Sequence, residues 1–133
     1  MSERDIVHEI RLALGADARV VLWRNSTGHT TEYTAETERH IRYGLCKGSS
    51  DLVGIVVMRE RVVDSSGKTI GLMPGTGLGR FFALEVKTPV GRLTPEQTKF
   101  LALVNRMGGF AACVRSVEAA RAALDRAAAG AVA

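Results

Sequence analysis

The chain has 133 residues, 46% hydrophobic and 24% charged, which fits a single soluble globular domain over residues 1–133 that can close its own core. Eighteen Lys and Arg against 14 Asp and Glu leave a formal charge of +4, compatible with a phosphate-backbone partner. Two distant cysteines, Cys46 and Cys113, argue against a disulfide framework and for a reducing compartment. The charged start Met-Ser-Glu-Arg-Asp carries no apolar leader, and the longest apolar run, Leu52 to Met58, is too short to span a bilayer, so a cytoplasmic protein with no membrane contact is expected.

Residues 3–14 predict a helix: Ile6, Ile10, Ala13 and Leu14 fall on one face, Ser2 offers an N-cap with Asp5 three residues on, and Gly15 offers a stop. Arg19 to Trp23 reads as a short strand. Asn25 to Thr31 reads as a polar loop around Gly28, and residues 32–50, ending in Gly48-Ser49-Ser50, show no single period. Asp51 to Met58 barely alternates, which predicts a strand buried on both faces. The stretch from Arg59 to Arg80 carries Ser65-Ser66-Gly67 and then Gly71, Gly75, Gly77 and Gly79, the composition of a hairpin followed by a mobile loop. Phe81 to Lys87 is a further strand. Thr94, Pro95 and Gln97 supply an N-cap, a first helical residue and a capping box for a helix ending at Gly108-Gly109. Phe110 to Val114 is a strand, and Ser116 caps an Ala-rich helix that frays after residue 127. The order predicts an α/β fold, a mixed sheet flanked by helices, with no repeat and no second domain.

Chemistry concentrates at two strand ends. Glu85 and Lys87 alternate with Val86, so both face one side of their strand. If the strand opened by Asp51 is its neighbour, two carboxylates meet, and they repel unless a cation lies between them. Hard oxygen ligands suit Mg²⁺ or Mn²⁺, which polarises a phosphodiester and acidifies a water, while an adjacent lysine steadies the charge growing on phosphorus. An isolated E-x-K is most often a solvated edge or an ion pair. Here Phe81-Phe82-Ala83-Leu84 and Val86 make the strand a buried one, where charges need partners.

Gly48-Ser49-Ser50-Asp51-Leu52-Val53-Gly54, Phe82-Ala83-Leu84-Glu85-Val86-Lys87, Gly91-Arg92-Leu93-Thr94-Pro95-Glu96-Gln97 and Gly108-Gly109-Phe110 together strongly resemble the VRR-Nuc family of the PD-(D/E)XK nuclease superfamily, in its stand-alone phage and bacterial form. The resemblance runs from the first helix to about residue 120. It implies a restriction-endonuclease-like core in α-β-β-β-α-β-α order and a Mg²⁺-dependent DNA endonuclease, with Mn²⁺ as a substitute ion. By the same resemblance Asp51 and Glu85 are metal-binding carboxylates, the Val86 carbonyl is a further ligand, Lys87 is the catalytic lysine, Gln97 sits against the site, and Glu9 is the additional acid of the first helix. Ser50 stands where the superfamily pattern has proline, a departure that leaves the ligand Asp51 in place. The family habit implies a homodimer cutting branched DNA in the manner of Holliday-junction resolvases, in a bacterial or phage-infected cell.

Two of these residues have plain structural explanations too: Gln97 completes a capping box, and Glu9 lies about 60° from Ile6 at the margin of the apolar stripe, where surface acids are common. Arg24, Asn25, Thr27 and His29 form a polar segment with donors suited to phosphates, and Arg42, with Arg39, His40 and Tyr43, extends it, as do Ser49 and Ser50 before the metal carboxylate. Gly75-Thr76-Gly77-Leu78-Gly79 lacks the GK[ST] ending of a phosphate loop, and His8, His29, His40 and Cys46 lack zinc spacing. Rival readings are a nickase or exonuclease acting on flaps or single strands, a nucleic-acid-binding module with a vestigial site, and a structural protein with surface ion pairs.

Overall fold

The computed structural model describes the backbone of residues 1–133, and all side chains except those of residues 59–61, 69 and 72–76. Its elements are α1 (Glu3–Gly15), β1 (Val20–Arg24), β2 (Gly28–Tyr33), β3 (Glu38–Tyr43), β4 (Leu52–Val63), β5 (Thr69–Val86), α2 (Pro95–Arg106), β6 (Phe110–Val114) and α3 (Val117–Ala128). Each helix starts on an N-cap legible in the sequence. Ser2 and Asp5 form a capping box on α1, Thr94 and Gln97 form one on α2, and the Ser116 hydroxyl accepts from Ala119 N–H at the head of α3.

The main sheet has the order β1-β4-β5-β6. β1 and β5 flank β4 in antiparallel register, and β6 joins β5 in parallel. This is a mixed sheet with helices on both faces, a restriction-endonuclease-like arrangement. Alternation along β5 divides the core: Phe82, Leu84 and Val86 face α1 and α3, joining Ile6, Ile10, Leu14, Phe110 and Leu124. Ala83 faces the other way and packs with Ala111, Val104, Phe100 and Leu101 under α2. Gly54 lets β1 and β4 lie close, since a Cβ there would collide with the Val21 carbonyl oxygen.

One buried cation of this core is Arg80, which has no acid partner among the described residues. Its guanidinium donates to the carbonyls of Gly108, Gly109, Ala127 and Ala131 and lies 5.4 Å from the centre of the Phe110 ring. It thereby ties the α2–β6 turn to the end of α3.

Two expectations are corrected. The supposed loop at Asn25–Thr31 and the aperiodic stretch after it contain a hairpin: β2 and β3 pair antiparallel as a separate two-stranded ribbon, from Gly28 opposite Tyr43 to Tyr33 opposite Glu38. Its side chains are almost all exposed, so no burial alternation marks it in the sequence. The glycine-rich stretch expected to be a mobile loop belongs to β5, with Gly71, Gly77 and Gly79 in register with Val62, Arg59 and Val57. Backbone pairing with β4 outweighs the low strand propensity of glycine there. The side chains at positions 75 and 76 of the Gly75–Gly79 motif lie outside the described residues.

Candidate active site

The adjacency on which the sequence argument depended is present. β4 and β5 are neighbours, and their ladder pairs Leu52 with Leu84, so the next step brings Asp51 opposite Glu85. There the Asp51 carboxylate takes over from the strand: its Oδ2 accepts from the Val86 N–H at 2.8 Å. Glu85 is 2% exposed and Lys87 9%, and they share the α2 face of β5. Lys87 Nζ lies 3.7 Å from Glu85 Oε1.

Gln97 serves both purposes that the sequence allowed. Its Oε1 accepts from Thr94 N–H at 2.9 Å, closing the capping box, and its Nε2 donates to Glu85 Oε1 at 2.9 Å. One planar amide thus fixes the head of α2 and aims Glu85. The other oxygen, Glu85 Oε2, is buried with no hydrogen-bond partner, and so is Ser50 Oγ. A buried orphan carboxylate oxygen is expensive unless it meets a cation or a proton. Burial first, and then the negative charge of Asp51, push the Glu85 carboxyl up to about 8, with Lys87 opposing the rise.

The third acid is Glu3, from the first turn of α1. Carboxylate oxygens of Glu3, Asp51 and Glu85 lie within 4.8 Å of one another, close enough to hold one metal ion. Glu9, the expected helix acid, is exposed and outside this group, and Glu3 is the helix acid that lies in it. The two are six residues apart, about 9 Å along the helix and on different faces. The signal for Glu3 was its place in the first turn, three residues before Ile6, but nothing local tells which end of α1 meets the strand ends.

The expected nucleic-acid contacts divide. Asn25 is half-buried and committed internally: its Nδ2 donates to Ser49 Oγ at 2.7 Å and to the Ser50 carbonyl at 2.9 Å, its Oδ1 accepts from Leu45 N–H at 3.2 Å, and its own N–H donates to the Asp51 carbonyl at 2.7 Å. Ser49 and Ser50 are buried. These three therefore shape the loop that carries Asp51 and do not offer donors on an open surface. Gly48 lets that loop close on α2, with a φ of +85° and a Cβ position only 2.5 Å from the Glu96 backbone. Arg24, Thr27, His29 and Arg42 are exposed, the last three on the β2–β3 ribbon or at its root.

The donor set is all carboxylate, buried at its centre and short of a counter-charge, so it fits a hard divalent cation. An acid ending one strand, an acid and a lysine two apart on its neighbour, and a helix glutamine bonded to the second acid define a nuclease of the PD-(D/E)XK type. The model of the VRR-NUC domain matches residues 2–118, and the chain belongs to that family of nucleases. No curated protein matches it. Among the described residues, no helix is long and apolar enough to cross a membrane.

Proposed function

We propose that the protein is a Mg²⁺-dependent DNA endonuclease, with Mn²⁺ as a substitute ion, selective for branched DNA and active as a homodimer, and that its matched region and α3 form one nuclease domain. The observation that carries this reading is the convergence of the Glu3, Asp51 and Glu85 carboxylates, with the Lys87 amine beside Glu85. Glu3, Asp51 and Glu85, with the Val86 carbonyl, would hold the ion. When bound, the ion supplies the Lewis acidity that makes a phosphodiester electrophilic and a water acidic.

The chain's own groups do the rest. Asp51 is locked by the Val86 N–H, and Glu85 by the Gln97 amide, so neither carboxylate must reorganise when substrate arrives. Lys87, largely shielded from water, stands where charge grows on the phosphoryl oxygens, and an electrostatic contact in such a dry site acts more strongly than in bulk solvent. Its ammonium also donates a hydrogen bond that orients the attacking water. Exposed Val21, Ile55 and Phe81 stand in one lateral row across the sheet, with Trp23 beside them, and this apolar row supports a face for a second subunit. Two sites in a dimer match two strands of a branched substrate.

The test is cleavage of labelled four-way junction, flap, linear duplex and single-stranded DNA with Mg²⁺, Mn²⁺ or EDTA, alongside Lys87→Ala and sedimentation. Metal-dependent cutting favouring the junction, lowered at least about 100-fold in Lys87→Ala, is expected. Binding without cutting in every metal would reject the enzyme reading. Equal cutting of linear and branched DNA would reject the selectivity, and a monomer at micromolar concentration would reject the dimer.

A further inference from the structure

The β2–β3 ribbon is unexplained by the carboxylate site. It pairs with no strand of the main sheet, and a two-stranded ribbon is marginal by itself in water. Its side chains are mostly polar and exposed, so it lacks the apolar face of a protein-docking surface. Its outer end is net acidic: three glutamates there outnumber Arg39, which pairs opposite Glu32. Glu32, Glu36 and Glu38 lie toward the turn, whereas His29, Arg42 and Lys47 lie at the root. Register places His29 opposite Arg42 and Thr31 opposite His40, so these four share one face. That face and the segment that follows β3 line a cleft that includes His29, His40, Arg42, Tyr43, Leu45 and Lys47.

Among the described residues, Arg42 makes no hydrogen bond or ion pair with another side chain. The 3.8 Å approach of Lys47 to Glu96 is a loose contact between exposed groups, worth little in water. Two cations at the mouth of a cleft with an aromatic and an aliphatic wall are complementary to a sugar–phosphate chain. The cleft is also tied to the carboxylate site. Asn25 holds Leu45 N–H, Ser49, the Ser50 carbonyl and the Asp51 carbonyl together. Lys47 and Asp51 are four positions apart in the chain, so their Cα atoms are at most about 14 Å apart, or roughly four base-pair rises along a duplex.

We propose that the cleft at the root of the β2–β3 ribbon is a second DNA contact, in which Arg42 and Lys47 hold phosphates of the strand flanking the scissile bond. The proposal rests on the reading of DNA as substrate, and adds to it where the flanking strand runs. The acidic outer end of the ribbon points the strand across the root, since phosphates are repelled from Glu32, Glu36 and Glu38.

The experiment measures binding of a labelled four-way junction and a flap substrate in EDTA, where no cutting occurs, across a salt series, for the wild type, Arg42→Gln, Lys47→Gln and the double variant. Both side chains are exposed, so folding is checked simply by melting. Each replacement is expected to weaken binding about five- to tenfold near 0.1 M salt and to lower the salt slope by about one, the double variant by about two. An unchanged slope in the double variant would overturn the proposal. So would loss of the dimer with DNA affinity intact, which would make the cleft a protein contact. A wild type that binds but never cuts would sink the nuclease reading alone, because the salt slopes still decide the role of the cleft.

Discussion

Glu85→Gln should make the metal-free protein more stable while destroying its activity. In the fold the Glu85 carboxyl titrates near 8, against 4.5 for the free group. The folded state therefore holds a proton that the unfolded chain has released between these two values. The stabilisation that this proton carries is complete below about pH 4.5 and is lost as pH rises through about 8. Wild-type metal-free protein should lose up to about 1.4 kcal/mol per pH unit across that window. The glutamine keeps the shape, offers its oxygen to the Gln97 amide, and has no charge to bury beside Asp51. At pH 8 it should be the more stable protein by on the order of 3 kcal/mol, or roughly 10 °C in Tm for a chain of this length. Adding Mg²⁺ or Mn²⁺ should raise the wild-type Tm with increasing pH and leave Glu85→Gln nearly unmoved. Thermal melts of both proteins in EDTA from pH 4.5 to 8.5, with and without metal, give the comparison. Parallel curves for the two proteins would refute the account of Glu85 as a carboxylate strained by burial and by Asp51.

Glu3→Gln should weaken Mn²⁺ binding about tenfold, measured by calorimetry, while Glu9→Gln should leave it unchanged, since only Glu3 meets the other two acids. Asn25→Ala removes the amide that joins Leu45, Ser49 and Ser50, so stability should fall by about 1–3 kcal/mol in denaturant. Cleavage by the folded Asn25→Ala protein should fall through loss of Asp51 placement, with metal affinity reduced in step. Arg80→Ala removes a donor from each of four carbonyls far from the carboxylates, and should cost about 2–4 kcal/mol without altering the metal affinity of the folded protein.

Much of the framework was legible because it is local. Ser2, Thr94 and Ser116 announce helix starts through hydrogen bonds to their own first turns, and a run such as Leu52 to Val57 can only be a buried strand or part of a helix. Glu85 and Lys87 were legible because alternation alone puts them on one side of a strand whose other side is core. The β2–β3 ribbon was not, since a hairpin exposed on both faces has no apolar period to read. Nor was the extension of β5 through Gly71, Gly77 and Gly79, where pairing with β4 determines the conformation and local propensity does not. Asn25 and Arg80 look like surface residues in the sequence, and only the fold shows what surrounds them.

Glu3 and Glu9 mark the boundary between the two kinds of information. Both flank Ile6 at helical spacing, and by periodicity either could line a site. Which one does so depends on how α1 crosses the sheet, and that is set by the packing of Ile6, Ile10 and Leu14 against β4, β5 and α3. The amino-acid order by itself determined the helix caps, the buried strands and the pairing of Glu85 with Lys87, because each is a relation between residues a few positions apart. The tertiary structure alone decided which distant acid joins Asp51 and Glu85, because that contact is made by the folding of the whole core and by nothing within the first helix.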